Sequence, residues 1–231
     1  MVSVIIPCYN ESATIEALID RVLSSPVSEP LEIIVVDDGS DLKTIEILQE
    51  KIAPKISKVI YQTKNQGKGA AVRVGLAAAT GEIAIIQDAD MEYDPHEFPA
   101  LLAPILKGEA DVVYGSRFLK KGANRDFYLL NFWANKFLTF LSNRFTRFKL
   151  TDMETCYKVF RRFVYQQLKI QENRFGLEPE MTAKINQLGV SVKEIPIRYQ
   201  GRSHRSGKKI GWKDGVSAII CIFKYNFGKS I

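Results

Sequence analysis

Apolar positions in the first half of the chain fall into short continuous runs, separated by stretches with helical spacing. Residues 2–8 form one such run, ending around Pro7, and read as a strand buried on both faces. Ile15, Leu18, Ile19, Val22 and Leu23 recur at helical spacing, with Ser12 ahead of them as the expected N-cap. The alternation continues with a strand at 31–36, a helix at 42–52, a strand at 58–62, an alanine-rich helix at 67–79 and a strand at 82–87. A helix at 95–106 and a strand at 110–114 complete it. Strands alternating with helices of this length predict βαβ units and a mostly parallel sheet covered on both faces.

The second half is less regular. Residues 127–143 read as a long amphipathic helix and 155–160 as a short strand. A helix is expected at 178–188, with Pro179 in its first turn, where no N–H bond is lost. Residues 190–199 read as a strand, which Pro196 assigns to a sheet edge. A final helix is expected at 211–227.

Composition sharpens this picture in a few places. A chain of 231 residues is enough for one substantial core, and the expectation is a single α/β domain over 1–231. The net charge of +6 is concentrated in residues 117–125, 144–149 and 198–213, which suggests an anionic partner for the second half. Cys8, Cys156 and Cys221 are widely spaced and odd in number, forming neither a disulfide framework nor a metal cluster, which fits a reducing compartment. The first residues lack the basic flank of a signal peptide, and no apolar run is long enough to predict a membrane span.

In open parallel sheets, ligands bind beyond the carboxyl ends of the strands. That rule gathers residues 7–11, 37–40, 65–68, 88–92 and 115–117. Glu11, Asp37, Asp38, Asp88, Asp90 and Glu92 lie in these segments. Six converging acids repel one another unless a cation sits among them, and hard oxygen ligands of this kind suit Mg²⁺ or Mn²⁺ shared with substrate phosphates. A redox dinucleotide site is disfavoured, because the turn after the first strand contains no glycine. The Gly67-Lys68-Gly69 element opens a helix but is neither a full dinucleotide fingerprint nor a P-loop. Asp88-Ala89-Asp90 alone is a common acidic turn; its position at a strand end, downstream of Asp37-Asp38-Gly39-Ser40, gives it weight.

These stretches, together with others along the chain, resemble family 2 glycosyltransferases of the GT-A fold, in the dolichyl-phosphate or polyprenyl-phosphate hexosyltransferase branch. The matching segments are VSVIIPCYNES at 2–12, IIVVDDGS at 33–40, NQGKGAAVRVGL at 65–76, IIQDADMEYDP at 85–95 and YGSRF at 114–118. Further along come TDMETCYKVFRR at 151–162, RFGLEPEMTAKI at 174–185 and EIPIRYQGRSHRSGKKIGWKDG at 194–215. The resemblance implies a Rossmann-like, mostly parallel sheet flanked by helices. Residues 1–118 would bind the nucleotide sugar, and 119–231, with amphipathic interfacial helices, would bind the acceptor.

Residue by residue, the resemblance implies that Pro7, Tyr9, Glu11, Val36, Asp38 and Lys68 line the nucleotide sugar. Asp88, Ala89 and Asp90 match the metal–diphosphate motif, with Glu92 as an additional metal ligand. Glu92 stands where mannose-transferring relatives usually carry Gln, which favours a glucosyl-type donor over mannose. Arg117, Arg202 and Lys208 match basic positions that meet the donor and acceptor phosphates, and with Asp90 they form the implied catalytic set. Mannosyl relatives also carry an arginine on the amphipathic helix; residues 127–135 have none, and Arg125 precedes them.

The implied reaction is an inverting transfer of a hexose from UDP-glucose or GDP-mannose to a polyprenyl phosphate. An acceptor phosphate is already anionic near neutral pH, so the site needs cations to hold two anions together more than it needs a base. His96 and His204 are therefore expected to be structural or surface residues. A glycan hydroxyl acceptor would require a base, with Asp152 or Glu154 the nearest candidates; a non-catalytic nucleotide-sugar module is a more remote alternative. Nucleic acid is not expected, since the cleft is acidic and no aromatic single-strand platform stands out.

The apolar face at 127–141 has basic flanks, as does 216–227, and both suit interfacial helices at a lipid headgroup layer. The second also suits a dimer contact. Peripheral attachment to the cytoplasmic face of a membrane, or a separate membrane protein partner, is expected.

Overall fold

The computed structural model describes residues 1–119, 129–201 and 212–228. Its elements, in chain order, are β1 (Val2–Cys8), α1 (Ile15–Leu23), β2 (Leu31–Asp37), α2 (Leu42–Ile47), β3 (Lys58–Tyr61), α3 (Lys68–Ala78) and β4 (Ile83–Ile86). Then follow α4 (Phe98–Leu106), β5 (Val112–Ser116), α5 (Leu129–Phe145), β6 (Lys158–Arg161), α6 (Arg162–Tyr165), α7 (Leu177–Leu188), β7 (Val192–Pro196) and α8 (Trp212–Phe227). The helical reading of 42–52 holds, but after α2 the chain widens into a π-helical turn at Leu48–Ile52.

One seven-stranded sheet runs in the order β3-β2-β1-β4-β6-β5-β7. β1 pairs in parallel with both β2 and β4, and β2 with β3, so these four strands end on one edge. β6 is antiparallel to both β4 and β5, and β7 runs parallel to β5 at the sheet margin expected from Pro196. Because β6 runs against its neighbours, the chain just before it lies on the same edge where β1, β2 and β4 finish. Residues 151–157 are thereby brought to the edge where β1, β2 and β4 end.

The apolar runs that predicted strands are the core. Val4, Ile5 and Ile6 of β1, Val35 and Val36 of β2, and Ala84 and Ile85 of β4 are sealed from solvent. α1 covers one face through Ile15, Leu18, Ile19 and Val22. Its start corrects the sequence expectation: the N-cap is Thr14, not Ser12. The Thr14 hydroxyl bonds to Glu11 Oε2 and to the Ala89 carbonyl, each at 2.9 Å, and so ties the helix entrance to the acidic turn.

Candidate active site

Asp38 organises the entrance to α3. Its buried carboxylate accepts from Gln66 N–H at 2.8 Å, Gly67 N–H at 2.7 Å, Asn65 Nδ2 at 2.9 Å and Gln62 Nε2 at 3.2 Å. This fixes the turn at Gly67, whose φ of +107° is a conformation side chains rarely adopt. Two residues on, a Cβ on Gly69 would lie 2.1 Å from the Glu172 carbonyl oxygen, so the helix start can dock on 172–173 only as glycine. The outcome of this packing is the placement of Lys68.

Lys68 Nζ lies 2.9 Å from Asp88 Oδ1 and 3.2 Å from Glu178 Oε1, joining β4's end to the first turn of α7. Burial opposes the charge on Lys68, but Asp88 above all, with Cys156 and Glu178, holds its pKa well above the ordinary lysine range. Below this group, Lys158 is fully buried, donates to the Thr155 carbonyl and lies 5.0 Å from the centre of the Tyr114 ring. Glu154 Oε1 is buried with no hydrogen-bond partner. Burial, with Glu178 adding to it, pushes the Glu154 carboxyl up to about 8.

A second centre forms at the end of β5. Arg117 binds Asp152 through its fork, Nε to Oδ2 at 2.7 Å and Nη2 to Oδ1 at 2.8 Å, and its own N–H donates to Oδ2 at 3.0 Å. Burial works against the guanidinium's charge, but Asp152 outweighs it and keeps Arg117 charged. The same pairing commits Asp152 to orienting Arg117.

The expected convergence of six acids does not form as one cluster among the described residues. Asp38 is consumed by the α3 entrance, Asp88 faces Lys68, Glu11 accepts from Thr14, and Glu92 Oε2 accepts from Tyr199 at 2.6 Å. Asp90 Oδ1 caps the turn by accepting from Glu92 N–H at 3.1 Å, with Met91 at φ 64° between them. Asp37 Oδ1 is buried without a partner at the end of β2. Among the described residues, no three or more His, Cys, Asp or Glu side chains are gathered to hold a metal ion. The Asp88, Asp90 and Glu92 ligand set is thus not preassembled as one cluster. Their hard carboxylate oxygens still fit Mg²⁺ or Mn²⁺, which one or two carboxylates and substrate phosphates usually hold, without an all-protein cage.

Of the other expected site residues, Pro7 sits opposite Val36 in the β1–β2 register, and Tyr9 and Glu11 are half-buried past β1. Val36 and Ala89 are buried, so neither side chain is open to a ligand, and the Ala89 carbonyl accepts from the Thr14 hydroxyl. Arg202 and Lys208 lie outside the described residues, as do Arg125 and His204. His96 is exposed beside Asp94, as expected of a surface residue. Tyr199 and Glu178 were missed: both sit in segments quoted for the resemblance, but nothing in their spacing points to the acidic turn.

Comparison with known proteins follows the same outline. A model described as Glycosyl transferase family 2 matches residues 3–169. The chain is 33% identical over 220 residues to a dolichol-phosphate mannosyltransferase of Pyrococcus furiosus, covering 90% of this chain and 60% of that protein. It is 28% identical over 212 residues to an undecaprenyl-phosphate 4-deoxy-4-formamido-L-arabinose transferase of Aeromonas hydrophila, covering 90% and 62%. A dodecaprenyl-phosphate galacturonate synthase of Rhizobium johnstonii matches at 25% over 210 residues, covering 89% and 61%. The chain thus spans about 60% of the length of these relatives. In fold it is similar to glucosyl-3-phosphoglycerate synthase of Mycobacterium tuberculosis, solved with Mn²⁺, UDP and glucosyl-3-phosphoglycerate. The TM-score is 0.72 at 21% identity, over 97% of this chain and 79% of that one.

Proposed function

The chain belongs to glycosyl transferase family 2 and is a glycosyltransferase; on that premise we propose that it moves a hexose from a nucleotide sugar to a polyprenyl phosphate at a membrane surface. One observation carries the choice of acceptor. The three relatives named above differ in sugar, but each name contains a dolichol or polyprenyl phosphate. The donor is proposed as UDP-glucose or GDP-mannose, and Glu92 favours the former.

In this reading Asp88, Asp90 and Glu92 would hold Mg²⁺ or Mn²⁺ against the donor diphosphate, and the cation supplies neutralisation of the charge on the leaving group. Pro7, Tyr9, Asp37 and the Asp38-braced turn line the nucleoside, and Lys68 serves the diphosphate from the far side of Asp88. Arg117, oriented by Asp152, holds the acceptor phosphate, joined by Arg202 and Lys208. The phosphate oxygen attacks the anomeric carbon in line as the diphosphate departs, inverting the configuration. No proton need be removed from the attacking atom, which agrees with a site whose described cations include Lys68 and Arg117.

Exposed apolar side chains on α5 (Trp133, Phe137, Phe140) and α8 (Val216, Ile220, Phe223, Phe227) recur every three or four residues. Phe145 joins the two helices through ring contacts at 5.2 Å with Phe223 and 4.9 Å with Phe227. These exposed apolar stripes support peripheral contact with the membrane that carries the acceptor. Among the described residues, no helix is long and apolar enough to cross a membrane.

The test is to incubate the purified chain with labelled UDP-glucose or GDP-mannose, a polyprenyl phosphate and Mn²⁺. Label is expected to partition into organic solvent, and Asp90→Ala is expected to reduce this by at least about 100-fold. Label found only on an aqueous glycan would favour the hydroxyl-acceptor alternative.

A further inference from the structure

We infer that Tyr199 is a positioning residue for the cation end of the site, holding Glu92 and Arg117 in one arrangement through opposite parts of its side chain. The inference rests on the glycosyl-transfer reading above and extends it to a residue outside the matched acidic turn. Tyr199 follows β7, just before the segment that contains Arg202 and Lys208. Its hydroxyl donates to Glu92 Oε2 at 2.6 Å, and the next residue's N–H, from Gln200, donates to the Glu92 carbonyl at 3.0 Å. Side chain and backbone of Glu92 are therefore both held by the same two residues.

The ring of Tyr199 is itself fixed. It meets Tyr93 edge-on at 5.3 Å, and Tyr93 packs against Tyr157 at 4.8 Å while its hydroxyl accepts from Cys156 N–H. The Arg117 guanidinium lies 5.2 Å from the centre of the Tyr199 ring, while Asp152 holds its N–H fork. One phenol thus touches the carboxylate assigned to the cation and the guanidinium assigned to the acceptor phosphate.

The chemistry of these contacts gives each a direction. A carboxylate has about four lone-pair positions, so a short bond at Oε2 fixes its plane without exhausting its capacity to ligate. Groups that orient a metal ligand in this way typically contribute ten- to a hundredfold in metal affinity. Burial, then Tyr93 and Glu92, push the Tyr199 phenol well above its ordinary range, so it remains a donor at physiological pH.

The experiment titrates Mn²⁺ against the chain at fixed UDP, and separately at fixed GDP, with nucleotide binding read by calorimetry. Tyr199→Phe keeps the ring beside Arg117 and Tyr93 and removes only the hydroxyl. The Mn²⁺ concentration giving half-maximal nucleotide binding is expected to rise about tenfold. In a Glu92→Ala background the same change is expected to add nothing, because the hydroxyl acts through Glu92. A merely structural hydroxyl would lower the melting temperature and leave the Mn²⁺ midpoint in place. An unmoved midpoint overturns the inference, and so does an equal shift with Glu92 already removed. If the unmodified chain binds neither nucleotide with Mn²⁺, the glycosyl-transfer reading fails and this inference falls with it.

Discussion

Lys68 Nζ stands 2.9 Å from Asp88 Oδ1, so the first carboxylate of the acidic turn is met by an ammonium from the start of α3. The same ammonium reaches Glu178, which is nearly sealed from solvent. Replacing Lys68 by Met preserves its length and leaves two carboxylates without their shared cation. Breaking a largely buried pair from one side leaves an uncompensated charge, and the expected loss is roughly 3 kcal/mol in a urea melt at neutral pH. Mn²⁺ is expected to stabilise Lys68→Met more than the unmodified chain, since whatever binds the native state raises its apparent stability. An equal Mn²⁺ effect on both proteins would argue that Asp88 does not serve the cation.

Arg117 and Asp152 make a different kind of pair. Three donated bonds, two from the guanidinium and one from the backbone, converge on one carboxylate. Lysine carries the charge but not the fork, so Arg117→Lys keeps the electrostatics and loses the orientation. A stability loss of about 2 kcal/mol is expected, as one charge-assisted bond replaces two. Lipid-acceptor kcat/KM is expected to fall by roughly 100-fold. Acceptor titrations measure this, and a change confined to stability would remove Arg117 from the acceptor site.

Much of this was legible in the chain. The continuous apolar runs gave the strands because a strand buried on both faces has few polar positions to interrupt it: β4 has none, β1 only Ser3, and β2 only Glu32 before its closing Asp37. The strand-end rule named segments that the fold brings into contact, residue 38 with 65–67 and residue 68 with 88. It does not say which way a carboxylate turns, and Asp38 turns into the 65–67 loop because three main-chain and side-chain amides from residues 65–67 point at it. The Tyr199–Glu92 bond spans 107 residues, beyond the reach of any local pattern. Ser12 and Thr14 both offer a hydroxyl at the entrance to α1, and sequence alone does not choose between them; Thr14 takes the N-cap position, with its hydroxyl turned to Glu11 and Ala89.

Glu154 carries a pH dependence whose sign is fixed by its direction of shift. Burial, then Glu178, raise its folded pKa to about 8, against an ordinary value of 4.5, while Lys158 and Arg117 oppose the shift and Asp152 adds to it. Between those values the folded protein holds a proton that the unfolded chain has released. Stability from this group therefore falls as pH rises from about 4.5 to about 8, by at most about 1.4 kcal/mol per pH unit. Glu154→Gln removes that slope and leaves the other titrating groups in both proteins. Urea melts from pH 5 to pH 8.5 are expected to show the variant gaining on the unmodified chain as pH rises. Parallel stability curves would mean that Glu154 ionises as an ordinary surface carboxylate.

The apolar face on α5 makes a prediction that separates a membrane from a protein partner. Trp133 and Phe140 are each 66% exposed and lie two turns apart on the same side of α5. Both side chains face away from the protein interior, so replacing both by Ser should leave UDP or GDP binding unchanged. If the face lies in the headgroup layer, each side chain is only partly immersed and contributes about 1 kcal/mol, less than full burial would give. Losing both would weaken binding to vesicles containing phosphatidylglycerol by roughly 30-fold, measured by co-sedimentation. Exposed Arg144, Arg147 and Lys149 at the end of α5 add an electrostatic share, so added salt should weaken the residual binding further. If the double variant sediments with vesicles as well as the unmodified chain does, the face is not a membrane surface, and a protein partner or second copy becomes its better occupant.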